Sequence, residues 1–421
     1  MTITLKASEI VAADYATQHA RFADLFSRIA DGSRLRDLER ILPFEQVAWL
    51  DEAGFGALRV PVESGGAGVS VETFARLLID LAAADSNVAH LYRSHFGFVE
   101  SLQWQDEAIR RRWYERVAAG KTVGNASTEL GGNALGHLNT VLAHEDGTWV
   151  LNGEKFYTTG TIFSDYTRVS AALEGKPGRV FALVDTKAAG VEISDDWDGF
   201  GQRLTGTGTT RFDDVRVEAV DLFGREAGGA EATHEAAFFQ LVLLGVLAGI
   251  ARAARNDAAQ SVAKRARTFN TGSGLPFRDD PLIQETVGRI ATKAFTAEAT
   301  VLAAARTLDT ALQTGLAQEP DESGHRPTTT EGHLAELAVE QAQVSVPELA
   351  IGAAQQLFET GGASATSTSK GLDRHWRNAQ TVATHNPIAF RARSIGDYFI
   401  NGTLPEGLNA IGNATAAPAA T

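Results

Sequence analysis

Ten histidines are spread along the 421-residue chain, and their spacing limits the chemistry they can do. None falls in HxxxH or HExxH order, and the acids lie on polar helix faces, so the pattern offers no metal site. His90 and His95 stand five apart in NVAHLYRSHFGF, a stretch read as one helix, on which that spacing does not share a face. Packing is the alternative for His90 and the preferred reading for His95. His385 is followed by Asn386 and Pro387. Imidazole donates and accepts protons near neutral pH, whereas the adjacent amide cannot act as a general base.

Other polar groups sit where strands turn. Asn125, Ser127 and Thr128 lie in GNAST and Thr159 in TTG, side chains suited to binding a ligand or to turn chemistry alone. Trp197 in DDWDGFGQR reads on its own as core. Arg267 in KRARTFN reads as a cation complementing a helix dipole, and Gly361–Gly362 in ETGG as a helix terminus or a close backbone approach. No GxSxG elbow, Walker loop or nicotinamide fingerprint occurs. The cluster PVESGGAG reads as a turn.

Composition narrows the setting. Apart from Met1 the chain has no sulfur, with Cys 0 and Met 1, where about a dozen such residues are ordinary. Synthesis during sulfur starvation, exposure to an oxidant, or drift in Ala-rich sequence are the candidate causes. Absence across the whole chain favours starvation. Without Cys there are no disulfides and no thiolate ligands or nucleophiles. A net charge of −14 disfavours nucleic acid and anionic membranes as partners. The segment MTITLKASEIVAADYATQ lacks a sustained apolar core and is not read as a signal peptide, so a cytoplasmic location is expected. The run AAFFQLVLLGVLAGIA from 236 to 251 is short of the ~20 residues that span a bilayer, and is expected to be a helix buried on all sides.

These groups must be positioned by elements of changing period. Residues 1–121 read as helical. Residues 122–230 read as a small, mainly antiparallel β-domain whose hairpin turns at Asp146–Gly147. Residues 231–400 read as a four-helix bundle interrupted by a polar loop at 317–332, and 401–421 as a tail disordered at NATAAPAAT. The class is α+β.

That order, with LRVPVESGGAGVS, GNASTELGG, LNGEKFYTTG, QLFETGGASA and DRHWRNAQT, resembles the acyl-CoA dehydrogenase fold. The ending THNPIAFRARSIGDYFINGTLP resembles its flavin-dependent monooxygenase branch, the dibenzothiophene monooxygenase and sulfur-acquisition oxidoreductase family. In many dehydrogenases of the fold a Glu removes the substrate's α-proton. Counting from Trp376, that place falls at Asn386.

The resemblance implies FMN used as FMNH2 (FAD remaining possible) and a flavin C4a-(hydro)peroxide kept from water. His385, His90, Asn125 and Thr159 are the implied catalytic residues. Asn125, Ser127, Thr128, Thr159, Trp197, Arg267 (for the phosphate), Gly361 and Gly362 would hold the flavin, and Ser94, Phe200 and His385 would line the substrate pocket. A neighbouring active-site Tyr of the family corresponds to Ser94. The implied protein is a cytoplasmic homotetramer, the oxygenase of a two-component system fed by a separate NAD(P)H:flavin reductase, and it oxidises a small organosulfur compound with O2. Attack on an amine nitrogen or an aromatic or indole carbon by the same fold is the first alternative. An FAD-dependent acyl-CoA dehydrogenase is the second, and a non-catalytic flavin-binding scaffold the third.

Overall fold

The computed structural model describes residues 14–131, 136–175, 178–224, 228–266, 268, 271–322 and 324–405. The segment before residue 14, Arg267 and the tail from 406 onward lie outside the described residues, so the readings placed on them are not addressed.

Six helices open the chain: α1 (Tyr15–Glu39), α2 (Phe44–Glu52), α3 (Val71–Ala84), α4 (Ser86–Leu91), α5 (Arg93–Ser101) and α6 (Glu107–Ala118). Side-chain oxygens set the starts of α1, α3 and α4. Asp14 accepts from the Thr17 amide and Ser70 from the Thr73 amide, each satisfying an amide that the first turn leaves unpaired. On α3, Val71, Phe74, Leu77, Leu78 and Leu81 are buried together. The NVAHLYRSHFGF stretch is not one helix. It breaks at Tyr92 into α4 and α5, which re-aims the residues after His90.

The middle region forms one sheet from β1 (Val123–Ala126), β2 (Val141–Glu145), β3 (Thr148–Lys155), β4 (Tyr166–Leu173), β5 (Arg179–Asp185), β6 (Val191–Ile193), β7 (Thr210–Val217) and β8 (Leu222–Gly224). The order is β6-β7-β3-β2-β4-β5-β8, with β1 on β4. Most pairs are antiparallel, but β1 and β2 each pair with β4 in parallel. The β2–β3 hairpin turns through positive φ at Asp146 (47°) and Gly147 (82°), as a type I′ turn requires.

Long helices then return as α7 (Gly229–Lys264), α8 (Pro281–Leu316) and α9 (Thr330–Gln356), followed by the short α10 (Asp373–Ala383) and α11 (Ile388–Asn401). The fourth position of the bundle is filled by these two short helices rather than by one long one. The apolar helix α7 is long and apolar enough to cross a membrane, yet 83% of its most apolar window is buried inside the protein. It is the central core helix. Its small residues allow close packing: a Cβ on Gly249 would stand 2.3 Å from the Ala82 Cβ of α3. The Arg168–Glu235 ion pair, 2.7 Å long and buried, fastens β4 to α7. The sheet and the bundle therefore present a fixed seam to each other.

Candidate active site

On the sheet side of that seam, β1 carries Asn125. Its Oδ1 accepts from Ser127 Oγ (2.8 Å) and its carbonyl from Thr161 Oγ1 (3.0 Å). Its Nδ2 donates to nothing among the described residues. Below it, the fully buried Lys155 reaches the Ser127 carbonyl (3.4 Å) and Glu129 Oε1 (2.7 Å). Glu129 also accepts the Asn139 and Thr140 amides. Burial opposes ionisation of this carboxyl, but Lys155 and the two amides hold it down to about 2. This pair anchors the 125–129 turn. The backbone of Thr128 pairs with Phe156 across an isolated bridge.

Thr159 follows a residue in the left-handed region, Tyr157 at φ 58°, an uncommon conformation for a non-glycine residue. Gly160 comes next, and a Cβ there would lie 2.4 Å from the Leu91 carbonyl. Hydroxyls then relay inward, Thr159 to Thr207 (2.8 Å), Thr207 to Thr205 (2.8 Å) and Thr205 to the Gln202 carbonyl (3.0 Å). The last acceptor is a carbonyl, and each hydroxyl has one hydrogen, so every donor points toward Gln202. Thr159 is left with lone pairs to offer. Trp197 meets Tyr157 edge-on at 5.9 Å and donates to the Gly201 carbonyl.

Two histidines lie close enough to influence each other, His90 on α4 beside Gln202 and His385 just past α10. His90 is 7% exposed, and Gln202 Oε1 lies 3.3 Å from its Nδ1. A carboxamide oxygen only accepts, so Nδ1 carries the proton and Nε2 presents a lone pair. Gln202 is itself pinned. It lies at φ 50°, its amide donates to Asn378 Oδ1 (2.7 Å), and its Nε2 donates to Ser86 Oγ (3.4 Å). Burial, and secondarily the Arg93 charge, lower the His90 pKa to about 4.

His385 has the opposite polarity. Asn386 Nδ2 lies 3.2 Å from its Nδ1 and 2.7 Å from Gln240 Oε1, and Gln240 Oε1 also accepts from Gln343 (3.1 Å). An amide nitrogen only donates, so Nδ1 accepts and Nε2 carries the proton. His385 lines a cleft with Gln240, Leu243, Leu244, Gln343 and Pro347. The residue is solvent-exposed at the mouth of that cleft, while the protein packed around the ring, then the charge of Arg93 and then His90, lower its pKa from the usual histidine value. Both rings are neutral at physiological pH, one a donor and one an acceptor.

Other expected residues fall out differently. Ser94 is buried at the start of α5. His95 is a structural tie, its Nε2 2.9 Å from the Gly56 carbonyl and its Nδ1 3.3 Å from the Val123 amide. Phe200 is 53% exposed and stacks on Trp376 at 5.8 Å, outside the hydrogen-bonded network. Gly361 and Gly362 lie in 3-10 turns, with Gly362 at φ 55°, and the Gly361 carbonyl accepts from Arg265 Nη1 (2.6 Å). Sequence reasoning missed Gln202, Gln240, Gln343, Arg93 and the supporting role of Asn386. A Gln on an apolar helix, as at Gln240, was the available signal.

Family models for the acyl-CoA dehydrogenase N-terminal, middle and C-terminal domains match residues 19–121, 125–215 and 241–390. The chain belongs to the acyl-CoA dehydrogenase family. A dibenzothiophene monooxygenase of Rhodococcus qingshengii is 28% identical, the match covering 85% of this chain and 86% of the relative. A probable FMNH2-dependent monooxygenase, SfnC, of Pseudomonas putida is 29% identical over 85% of this chain and 88% of its own length. The solved methanesulfinate monooxygenase MsuC of Pseudomonas fluorescens is 26% identical, with a TM-score of 0.83 over 93% of this chain and 98% of its own. Within this acyl-CoA dehydrogenase fold the donor set suits a planar cofactor edged with nitrogen and oxygen. Among the described residues Asn125 Nδ2 is an unused donor and Thr159 Oγ1 keeps acceptor lone pairs, and Tyr157 and Trp197 supply flat apolar surface.

Proposed function

We propose that the chain is the oxygenase component of a two-component monooxygenase that uses reduced FMN and O2 to oxidise a small organosulfur compound. The observation that carries this reading is the pair of neutral histidines of opposite polarity. At the family's base position stands Asn386, an amide that cannot take an α-proton and is engaged in orienting His385. When bound, reduced FMN supplies the two electrons that activate O2. One oxygen atom goes to the substrate and the other leaves as water.

The protein's own groups do the rest. Asn125, Ser127, Thr128, Thr159, Trp197 and the Gly361–Gly362 turn hold the cofactor. Thr159 offers the acceptor that the N5–H of a reduced flavin needs. His385 Nε2–H donates to the oxygen being handled, and His90 Nε2 takes or returns a proton. Asn386, Gln240 and Gln343 act by positioning His385. A separate NAD(P)H:flavin reductase supplies FMNH2, and that need for nicotinamide reducing power supports a cytoplasmic location. A homotetramer is supported by Phe295, Phe390, Phe399 and Ile400, which are 68–80% exposed on the outer bundle of one protomer.

The test is anaerobic loading with FMNH2 followed by an O2 pulse. In the wild type, oxidised-flavin absorbance should return only after a lag. His385→Ala should abolish the lag and release hydrogen peroxide, and Asn386→Leu should shorten it about tenfold while the protein still binds FMN. Immediate reoxidation in the wild type, or bleaching by an acyl-CoA without O2, would sink the reading.

A further inference from the structure

Arg93, half-buried, opens α5 close enough to both histidines for its charge to act on them, and it lacks the carboxylate partner that several other buried and half-buried arginines have. Arg36, Arg59, Arg168 and Arg391 each pair with a carboxylate at 2.7–2.9 Å. Among the described residues no carboxylate lies within ion-pair distance of Arg93. Its one hydrogen bond to protein runs from Nε to the Phe239 carbonyl (3.1 Å), and its guanidinium rests over the Phe239 ring, 4.7 Å from the centroid. That ring is itself backed by Gly97, where a Cβ would stand 2.3 Å from it. The side chain is therefore held at one edge and along one face. Among the described residues the Nη1 and Nη2 edge makes no hydrogen bond, and it is open to solvent.

A half-buried cation held only by a carbonyl and a ring is incompletely compensated, and its open edge is where an anionic ligand would complete the compensation. We propose that Arg93 is the oxyanion anchor of this pocket and that the substrate is an organosulfinate rather than a neutral thioether or aromatic heterocycle.

The free edge presents two parallel N–H groups, a fork that matches two oxygens on one sulfur. His90 and His385 are neutral, so a monoanion meets a single compensating charge. A sulfinate also keeps a lone pair on sulfur. In the balanced reaction that lone pair forms the new S–O bond with one atom of O2. The other atom leaves as water with the two hydrogens of the reduced flavin, and the product is a sulfonate. The same fork would hold that product. The substrate class rests on the monooxygenase reading; the anion site does not.

The experiment titrates the oxidised FMN-loaded enzyme by calorimetry with methanesulfinate, methanesulfonate and the neutral dimethyl sulfone. The wild type should bind both anions, weakening as salt rises, and should bind the sulfone far less. Arg93→Met should weaken both anions on the order of tenfold to a hundredfold and leave the sulfone unchanged, with Arg93→Lys between them. Equal binding of sulfone and sulfinate by the wild type, or unchanged anion affinity in a folded Arg93→Met, overturns the anchor. If Arg93→Met does not fold, the wild-type preference and the Arg93→Lys loss decide. Turnover then separates the two readings. Anion binding without any lag in the O2 pulse would remove the monooxygenase reading and keep the anchor. A lag without anion binding would do the reverse. Bound sulfinate that gives no sulfonate, while another organosulfur compound is oxidised, would overturn the assignment of substrate.

Discussion

At the scale of single residues, the candidate site fixes which ring nitrogen carries a proton. His90 donates from Nδ1 to Gln202 and His385 accepts at Nδ1 from Asn386. The two exposed edges are thus complementary without either ring being charged. This neutrality has a pH consequence. The His90 pKa is lowered from 6.5 to about 4, so between those values the unfolded chain binds a proton that the folded chain does not. Stability must then fall as pH drops from 6.5 toward 4, while the folded site keeps its proton pattern. We expect urea melts across that window to show a slope that His90→Gln reduces by as much as one proton. Oxygenation should show no step near 6.5 on that residue's account. A wild-type activity transition at 6.5 that vanishes in His90→Gln would contradict the burial argument.

At the scale of elements, the packing of the N-terminal helices on the bundle depends on how closely α3 approaches α7. Gly249 sits where a Cβ would meet Ala82 Cβ at 2.3 Å and the Ile79 carbonyl at 2.8 Å, contacts that backbone and a short side chain cannot relieve. Gly249→Val should cost about 1–3 kcal/mol. Gly288 on α8 has nothing within 4 Å of a built Cβ, so Gly288→Ala should stabilise by about 0.5–1 kcal/mol through helix propensity. Thermal melts of the two variants should move in opposite directions. Much of this level was legible in the sequence. The period change from helix to strand, the Asp146–Gly147 turn and the buried run at 236–251 are local patterns, and they fold as read. The break at Tyr92 was not legible, because no Gly or Pro stands at it; the one glycine of NVAHLYRSHFGF, Gly97, lies inside α5. The parallel pairing of β1 and β2 with β4 was not legible either, because it joins strands far apart in the chain.

At the scale of the whole molecule, Phe399 and Ile400 are 68% and 80% exposed on α11, an apolar surface that a subunit interface would cover. If the proposed homotetramer uses this face, replacing both with Asp should lower the mass seen by light scattering to that of dimers or protomers, and an unchanged mass would clear this face of the role. The missing sulfur also belongs to this scale. The buried core of the bundle is built from Ala, Leu, Val, Ile and Phe, so Met has been avoided even where no oxidant reaches, which fits economy in a cell short of sulfur.

The sequence by itself determined the family, the order of its regions and which polar residues are candidates to hold the cofactor. Those are written in short runs whose chemistry is local. Only the tertiary structure decided which nitrogen of each histidine holds the proton, that Asn386 is a support rather than a lost base, and that Arg93 stands bare. Each depends on partners brought from 112 to 146 residues away, Gln202 to His90, Gln240 to Asn386 and Phe239 to Arg93. A hydrogen bond closed across that much chain leaves no pattern in the residues on either side of it.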